Sequence, residues 1–481
     1  MSTSQLPLLP LVLDGVPQGL RQALTQEGLA HVERAPGKPA GRFLLYDSRG
    51  GKPRGVAPGQ MPIDVDALRK AATSDPFEDL LDERSVTVDY PIGGREYRAE
   101  IARIDKCHVR QQLMAGLRRA IEQRGGVWLK LSAYPFPYRS CVNLRLNYHT
   151  CGEGFAAALR DAAHYERATS HYLSGAEAEL QPEQARRLRG LDVGSLGYHR
   201  VVPEEADEIV KNLRQGIHVL QRLGLNPRGY AAPHGRFSLP LLTALEVLNV
   251  SHSSGVALAY DDLPLFAGSS RVVQLPVHPV AVGRLPDGAP ATGAVGRNSV
   301  PGDSHEALQE YFRTLVTARY QAGEPVLLLR QATPRVLEPR GAVEALFAAT
   351  ARCGALWHVT LTELAEWWRL RASVAWHAEV AGDQLGITLQ SSPGRFRLGA
   401  EYWRGEHVAL LPLDEAATWF TPGALAYQAR RAAPLPAPQR VDGPELPRRQ
   451  GRRWLSAKRR DDSGVRAFRD WMTRTWRNDR G

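Results

Sequence analysis

An α/β fold is predicted for this chain: a βα barrel over residues 133–372, an N-terminal α/β unit over 1–132 and a small antiparallel β domain over 373–428. Three observations predict it. Strand-like and helix-like stretches alternate from Val142 to Arg371 at the spacing of βα units. Period-two alternation broken by glycine turns follows, from Ala375 to Leu411. With 481 residues, 43% of them hydrophobic and 23% charged, the chain can bury cores in two or three domains.

The N-terminal unit reads in order as a buried strand at 8–13, a helix at 19–26 ended by Gly28, and a strand at 42–46. A hairpin flanks Gly93-Gly94, an amphipathic helix covers 113–124, and a strand covers 127–131. Within the barrel, strands are expected at 142–146, 191–193, 228–232 and 325–329. Helices are expected at 153–173, 203–223, 239–248 and 361–371, the second opening on a Pro-Glu-Glu first turn. In such barrels functional groups stand at the C-terminal ends of strands. That directs attention to 147–149, 195–199, 233–235 and 330–331.

After the barrel, strands are expected at 375–380, 384–390, 396–398 and 407–411, with turns at Gly382-Asp383 and Pro393-Gly394. Residues 429–481 form a Pro/Arg-rich basic tail in which 465–477 read as a final helix carrying Phe468, Trp471, Met472 and Trp476.

The net charge is +10 and the pI near 9.5. Arginine is spread along the whole chain and the excess gathers toward the C-terminus, so charge alone outlines no groove. An anionic partner would be met by the tail from Arg448 to Arg480. The four cysteines, Cys107, Cys141, Cys151 and Cys353, form no CxxC pair, which excludes a zinc finger and predicts reduced thiols. The apolar run LPLLPLVL is short, holds two prolines and lacks a basic start, so a cytoplasmic protein without a membrane span is expected.

Five phrases occur in order: YPFPYRSCVNLRLNYH at 134–149, DVGSLGYHRVV at 192–202, GYAAPHGRF at 229–237, SHSSGVALAYDDLPLF at 251–266 and WHVTLTELAEWWRLR at 357–371. Together they span about half the chain and resemble the bacterial polysaccharide-deacetylase superfamily (NodB homology, carbohydrate esterase family 4). The resemblance implies an irregular deacetylase-like βα barrel. It also implies a hydrolase that removes acetyl groups from sugars with a divalent metal, an aspartate base and a histidine acid.

The sequence departs from the family pattern at nearly every such position. The base aspartate falls on Asn147 and the metal aspartate on Tyr148 or His149. The two ligand histidines fall on Leu196 and Arg200, the third-motif arginine on Ala231, and the late acid near Arg330 or Gln331. Leucine and cationic arginine offer a metal no donor. A degenerate site is therefore expected, with Asn147 at the base position, Arg330 at the acid position and no cofactor.

Two uses of the remaining residues stay open. His149, His199 and His234 could hold zinc in a shifted site. Alternatively Tyr148, His199, Pro233 and His234 could line a groove for a polysaccharide or acetylated sugar. Tyr134, Phe136 and Tyr138 suit either a carbohydrate platform or packing at the barrel entrance, and Asp261 and Asp262 either a metal or a capped loop. Trp367 and Trp368 lie in an amphipathic helix. His252 has Ser251 and Ser253 beside it, but no GxSxG elbow makes a serine hydrolase. The function expected is a pseudoenzyme that binds carbohydrate or acts as a scaffold. The alternatives are an active deacetylase with rearranged histidine ligands, or a binder of anionic partners through its tail.

Overall fold

The computed structural model describes residues 6–35, 41–70, 81–82, 86–101, 104–105, 107–255, 263–266, 270–282, 302–332, 341–391, 394–413, 417–430 and 439–440. Among them no helix is long and apolar enough to cross a membrane.

The chain opens with a four-stranded parallel sheet in the order His31–Glu33, Leu11–Asp14, Phe43–Tyr46, Met61–Asp64. Its first crossover is the helix Gln18–Glu27, which stops because Gly28 takes the left-handed conformation (φ 81°) and returns its N–H to the Leu24 and Thr25 carbonyls. The strands Val86–Ile92 and Arg95–Ile101 form the expected hairpin about Gly93-Gly94. The helix Cys107–Glu122 follows it.

The centre of the molecule is a curled parallel sheet. Its order is Val273–Gln274, His252–Ser253, Gly229–Tyr230, Val193–Ser195, Thr169–Leu173, Ser140–Tyr148, Val326–Ala332, with Leu356–His358 paired to the first residues of Ser140–Tyr148. Leu265–Phe266 adds an antiparallel edge. The open side is spanned by residues 275–282. On one side Val277 N bonds to Gly255 O (2.9 Å), and on the other His278 N and Val282 N bond to Leu327 O (2.8 Å) and Leu329 O (2.7 Å). Helices Glu153–Ala163, Ala206–Arg222, Leu239–Val247, Gly302–Ala322, Ala342–Thr350 and Leu361–Ser373 run between the strands, as a βα barrel requires.

Three sequence expectations are corrected here. Residues 153–173 are not one helix: the helix ends at Ala163, and Thr169–Leu173 is a central strand. All five of its residues are buried, since helices cover one face and the barrel interior the other. A strand covered on both sides loses the alternation that would mark it. The strand expected at 396–398 begins at Gly399, where Gly399–Arg404 pairs with His407–Pro412. On its other side that strand pairs with Trp128–Leu131 from the N-terminal part of the chain. The long helix Gly302–Ala322 has only a weak apolar stripe and was not expected.

One apolar cluster runs from the N-terminal sheet through Trp128 and Leu131 into the barrel interior (Leu196, Ala231, Leu329) and on to Trp376, Ile387 and Leu398. A second lies between the outer face of the barrel and its helices. Arg371 ties the first cluster together. Its buried guanidinium donates to the carbonyls of Ser132 (2.8 Å), Gln26 (3.1 Å), Leu131 (3.2 Å) and Thr25 (3.4 Å), and stacks 4.6 Å over Trp368. Two of those carbonyls end the helix Gln18–Glu27. A Cβ at Gly28 would sit 2.2 Å from the guanidinium, a second reason for glycine there.

Beside it lies a buried ion chain. Lys130 stands directly across from Glu401 in the sheet and bridges Glu27 (2.5 Å) and Glu401 (3.5 Å), and Arg430 reaches Glu401 at 2.8 Å. Burial alone would raise the Glu401 carboxyl, but the charges of Arg430 and Lys130 outweigh it and hold the group down at about 2. A depressed carboxylate adds stability that is complete above its unfolded value, near 4.5, and is lost as pH falls through about 2. Glu401→Gln is therefore expected to be less stable than wild type at pH 7. Its unfolding free energy should also fall less between pH 5 and pH 2, by about 3 kcal/mol. Urea titrations across that range check this, and parallel profiles for the two proteins would refute it.

Candidate functional site

Side chains alternate along Ser140–Tyr148, so Asn143, Arg145 and Asn147 face the barrel interior while Val142, Leu144, Leu146 and Tyr148 face the helices. The register carries the interior face around the sheet. Asn147 lies opposite Tyr172 and Gln331, Tyr172 opposite Gly194, Gly194 opposite Gly229, and Gly229 opposite His252.

The two glycines make room for a pair of rings. Tyr172 Oη and His252 Nε2 are hydrogen-bonded at 2.7 Å, laid across the glycine backbone. A Cβ at Gly194 would be 2.2 Å from the Tyr172 ring, and one at Gly229 would be 2.1 Å from His252 Nε2. His252 Nδ1 hydrogen-bonds the Ser251 hydroxyl at 2.7 Å. Burial first, then the Arg369, Arg145 and Arg228 charges, push the imidazole down to about 3, so it is neutral at pH 7. The Ser251–His252 pair is not a hydrolytic dyad, because the other ring nitrogen meets a tyrosine rather than a carboxylate and His252 is only 1% exposed.

Arg145 lies over the Tyr172 ring, 5.7 Å from its centroid, and its Nη1 donates to the Ser254 carbonyl and to Ser254 Oγ (2.8 Å). Ser254 is the first residue past the C-terminal end of its strand, so the guanidinium ends on the mouth side. Lower in the barrel, Asn143 Nδ2 donates to Ser170 Oγ (3.0 Å) and to the Val359 carbonyl (2.9 Å).

The sequence-derived positions distribute themselves as follows. Asn147 is half-buried at the mouth, and its Oδ1 has no hydrogen-bond partner. Tyr148 is no groove wall: it is buried among the outer helices, its ring tilted against Phe155, and it is hydrogen-bonded through its hydroxyl to His171 Nδ1 (2.8 Å). Arg330 is no mouth residue either. It lies opposite Leu146 on the outward face and pairs with Asp161 of the helix Glu153–Ala163 at 2.9 Å, which leaves Gln331 as the inward residue.

His149, one of the two residues offered for the metal aspartate, and Arg200, at a ligand-histidine position of the resemblance, do come together: Arg200 Nη2 donates to His149 Nε2 at 3.1 Å. His199 is exposed. Its loop is pinned by Asn212, whose Oδ1 accepts from His199 N (2.8 Å) and whose Nδ2 donates to the His199 and Val201 carbonyls (3.1 Å each). Gly216 allows the helix to press on this loop, since a Cβ there would be 2.5 Å from the Gly197 carbonyl carbon. Pro233 opens a 3-10 turn at the mouth. The strand Arg95–Ile101 runs beside that turn, anchored where Ala281 N donates to Tyr97 Oη at 3.2 Å. The side chain of His234, the residues Asp261 and Asp262, and the tail from Arg448 to Arg480 lie outside the described residues.

Tyr134 and Tyr138 precede Ser140–Tyr148 and so lie at the opposite end of the barrel from the mouth. Tyr134 is buried with its hydroxyl donating to the Gly323 carbonyl (3.2 Å), and Tyr138 stacks on Trp357. Trp367 and Trp368 are both core.

Leu196 and Arg200 offer no donor to the metal that the resemblance implies. Leu196 is buried among apolar side chains beside Ala231, and Arg200 brings a positive charge. Among the described residues no three His, Cys, Asp or Glu side chains converge to hold an ion. Arg145 and Tyr172 were missed by sequence reasoning, which offered Gln331 only as the alternative to Arg330. The signal that could have found them is the alternation Asn143, Arg145, Asn147, which places polar side chains at every second position of a buried strand.

Gly194→Ala is expected to cost about 1–3 kcal/mol by overpacking the Tyr172 ring. Gly50→Ala, where nothing lies within 4 Å of the new Cβ, is expected to cost little. Equal chemical-unfolding midpoints for the two variants would show that the ring pair does not occupy the barrel as described.

No protein-family model matches the sequence, and no curated protein does. Solved structures match about half of it. A Mycobacterium smegmatis protein described as a polysaccharide deacetylase is 18% identical, with 49% of this chain and 93% of that one covered and a TM-score of 0.39. One of the same description from Pseudomonas aeruginosa PAO1 is 15% identical, with 48% and 90% covered and a TM-score of 0.39. A Bacillus anthracis protein described as a pseudoenzyme of carbohydrate esterase family 4 is 14% identical, with 48% and 68% covered and a TM-score of 0.32.

Proposed function

We propose that this chain is a deacetylase-like barrel that binds carbohydrate at its mouth without hydrolysing it. The observation that carries the reading is the contact between Arg200 and His149. Two positions that resemble a metal-ligand pair are joined by a guanidinium. Arginine is not deprotonated in proteins and offers no lone pair, so it excludes a cation from the place it occupies.

The rest of the mouth supports the same reading. Asn147 is an amide where the resemblance implies a base, and an amide does not take a proton from water. Leu196 and Ala231 are buried apolar residues where it implies a ligand and an arginine. What remains facing the mouth, the amides of Asn147 and Gln331, donates and accepts hydrogen bonds as sugar hydroxyls require.

Elemental mass spectrometry of the purified chain and of a His149→Ala/His199→Ala variant tests this together with acetate release from acetylated chito-oligosaccharides. Background metal in both samples and no acetate release, with or without added zinc, is expected. Stoichiometric metal lost in the variant, or acetate release abolished by Asn147→Ala, would overturn the reading in favour of an active hydrolase.

A further inference from the structure

Four arginines are buried among the described residues: Arg145, Arg319, Arg330 and Arg371. Arg319 meets Glu324 at 2.9 Å and Arg330 meets Asp161 at 2.9 Å. Arg371 is satisfied by four carbonyls. Arg145 differs. It is 1% exposed, and both oxygens of its one partner, Ser254, sit on Nη1. Nε is buried without a hydrogen bond, and Nη2 makes none among the described residues.

A buried charge without a counter-ion is costly, and orphaned buried polar atoms mark a missing water, ion or ligand. A second orphan is adjacent. Asn147, the next inward residue toward the mouth, has a buried Oδ1 with no partner, and Gln331 stands directly opposite it. Among the described residues no anion contacts Arg145. Tyr172 is kept protonated by burial, and His252 is neutral. Burial pulls Arg145 down only to about 10, so it remains charged at pH 7. Among the described residues Arg145 thus has no counter-ion, and its bare side is an Nε–Nη2 fork.

We infer that the mouth of the barrel is a carboxylate site, in which the Nε–Nη2 edge of Arg145 takes both oxygens of one carboxylate and the amides of Asn147 and Gln331 bind the group that carries it. The planar fork of a guanidinium matches a carboxylate with two parallel hydrogen bonds. One monoanion balances the charge, whereas a phosphate dianion would leave a buried negative charge unmatched. The inference rests on the carbohydrate-binding reading only for the carrier, which would then be an acidic saccharide such as a uronate.

Calorimetric titration of the full chain with glucuronate, acetate and glucose, at pH 7 and fixed ionic strength, tests this in wild type, Arg145→Met and Asn147→Asp. The Asn147→Asp change puts a carboxylate beside the fork and should fill it from within. It should weaken carboxylate binding at least tenfold while raising the unfolding temperature, and so carries the test even if Arg145→Met does not fold. Glucuronate is expected to bind wild type and to be lost in both variants. Acetate binding of similar strength would support the carboxylate site with a free small acid as its ligand, and glucuronate binding alone would support it with a saccharide-borne one. Carboxylate binding unchanged in Asn147→Asp, or none at millimolar concentration, would overturn the inference. Glucose binding that persists in all three proteins would leave the carbohydrate reading standing by itself.

Discussion

The hydrogen bond between Tyr172 and His252 sets what this barrel can be. Two rings lie across its interior, and they fit only because Gly194 and Gly229 present bare backbone beneath them. A protein interior is packed too densely to hold both rings and an open metal pocket in the same cross-section. The rings close the middle, Leu196, Ala231 and Leu329 fill the space around them with apolar atoms, and Asn147 and Gln331 stand toward the mouth. Arg145 follows from the same arrangement. Its guanidinium lies over the Tyr172 ring, and its Nη1 reaches the strand end at Ser254.

The barrel is not a free-standing unit in its packing. Arg371, at the end of the helix Leu361–Ser373, is satisfied entirely by carbonyls from the helix Gln18–Glu27 and from residues 131–132. Trp128–Leu131 then enters the sheet of Gly399–Arg404, so that Lys130 and Glu401 meet inside a buried ion chain. Isolating any one of the three parts would leave either a buried guanidinium or a buried carboxylate without partners, which is more costly than losing the pair altogether. The hairpin of Val86–Ile92 and Arg95–Ile101 adds a fourth link at the rim, where Tyr97 Oη receives the Ala281 N–H.

Much of this was legible in the sequence, and the failures share a cause. Strands with one solvated face or a glycine turn, such as Trp376–Ala381 and Gln384–Leu389, announce themselves by alternation. Thr169–Leu173 did not, because both of its faces are buried, and it was absorbed into the preceding helix. That error hid Tyr172 and His171, and so hid which face of Ser140–Tyr148 pointed inward. Tyr148 was therefore assigned to a groove it turns away from, and Arg330 was preferred to Gln331 for the same reason. Period two fixes which residues share a face but not which face is the interior; here the neighbouring strand decides it. By contrast, Asn147, His149 and Arg200 stand at strand ends and loops, where a spacing can be read without knowledge of the face, although their contacts cannot.

On the proposed reading, the chemistry of the mouth is that of guanidinium groups in place of a metal ion. A divalent ion can polarise a carbonyl and lower the pKa of its water. A guanidinium cannot acidify a water in that way, since it accepts no lone pair into a coordination shell and holds its protons throughout the physiological range. It can still supply fixed, directional hydrogen bonds to an acceptor, and in a dry interior these are strong. On the proposed reading, the same strand-end positions serve recognition. With Arg200 engaged by His149 and Arg145 open on one edge, they would hold a ligand in place rather than activate water against it.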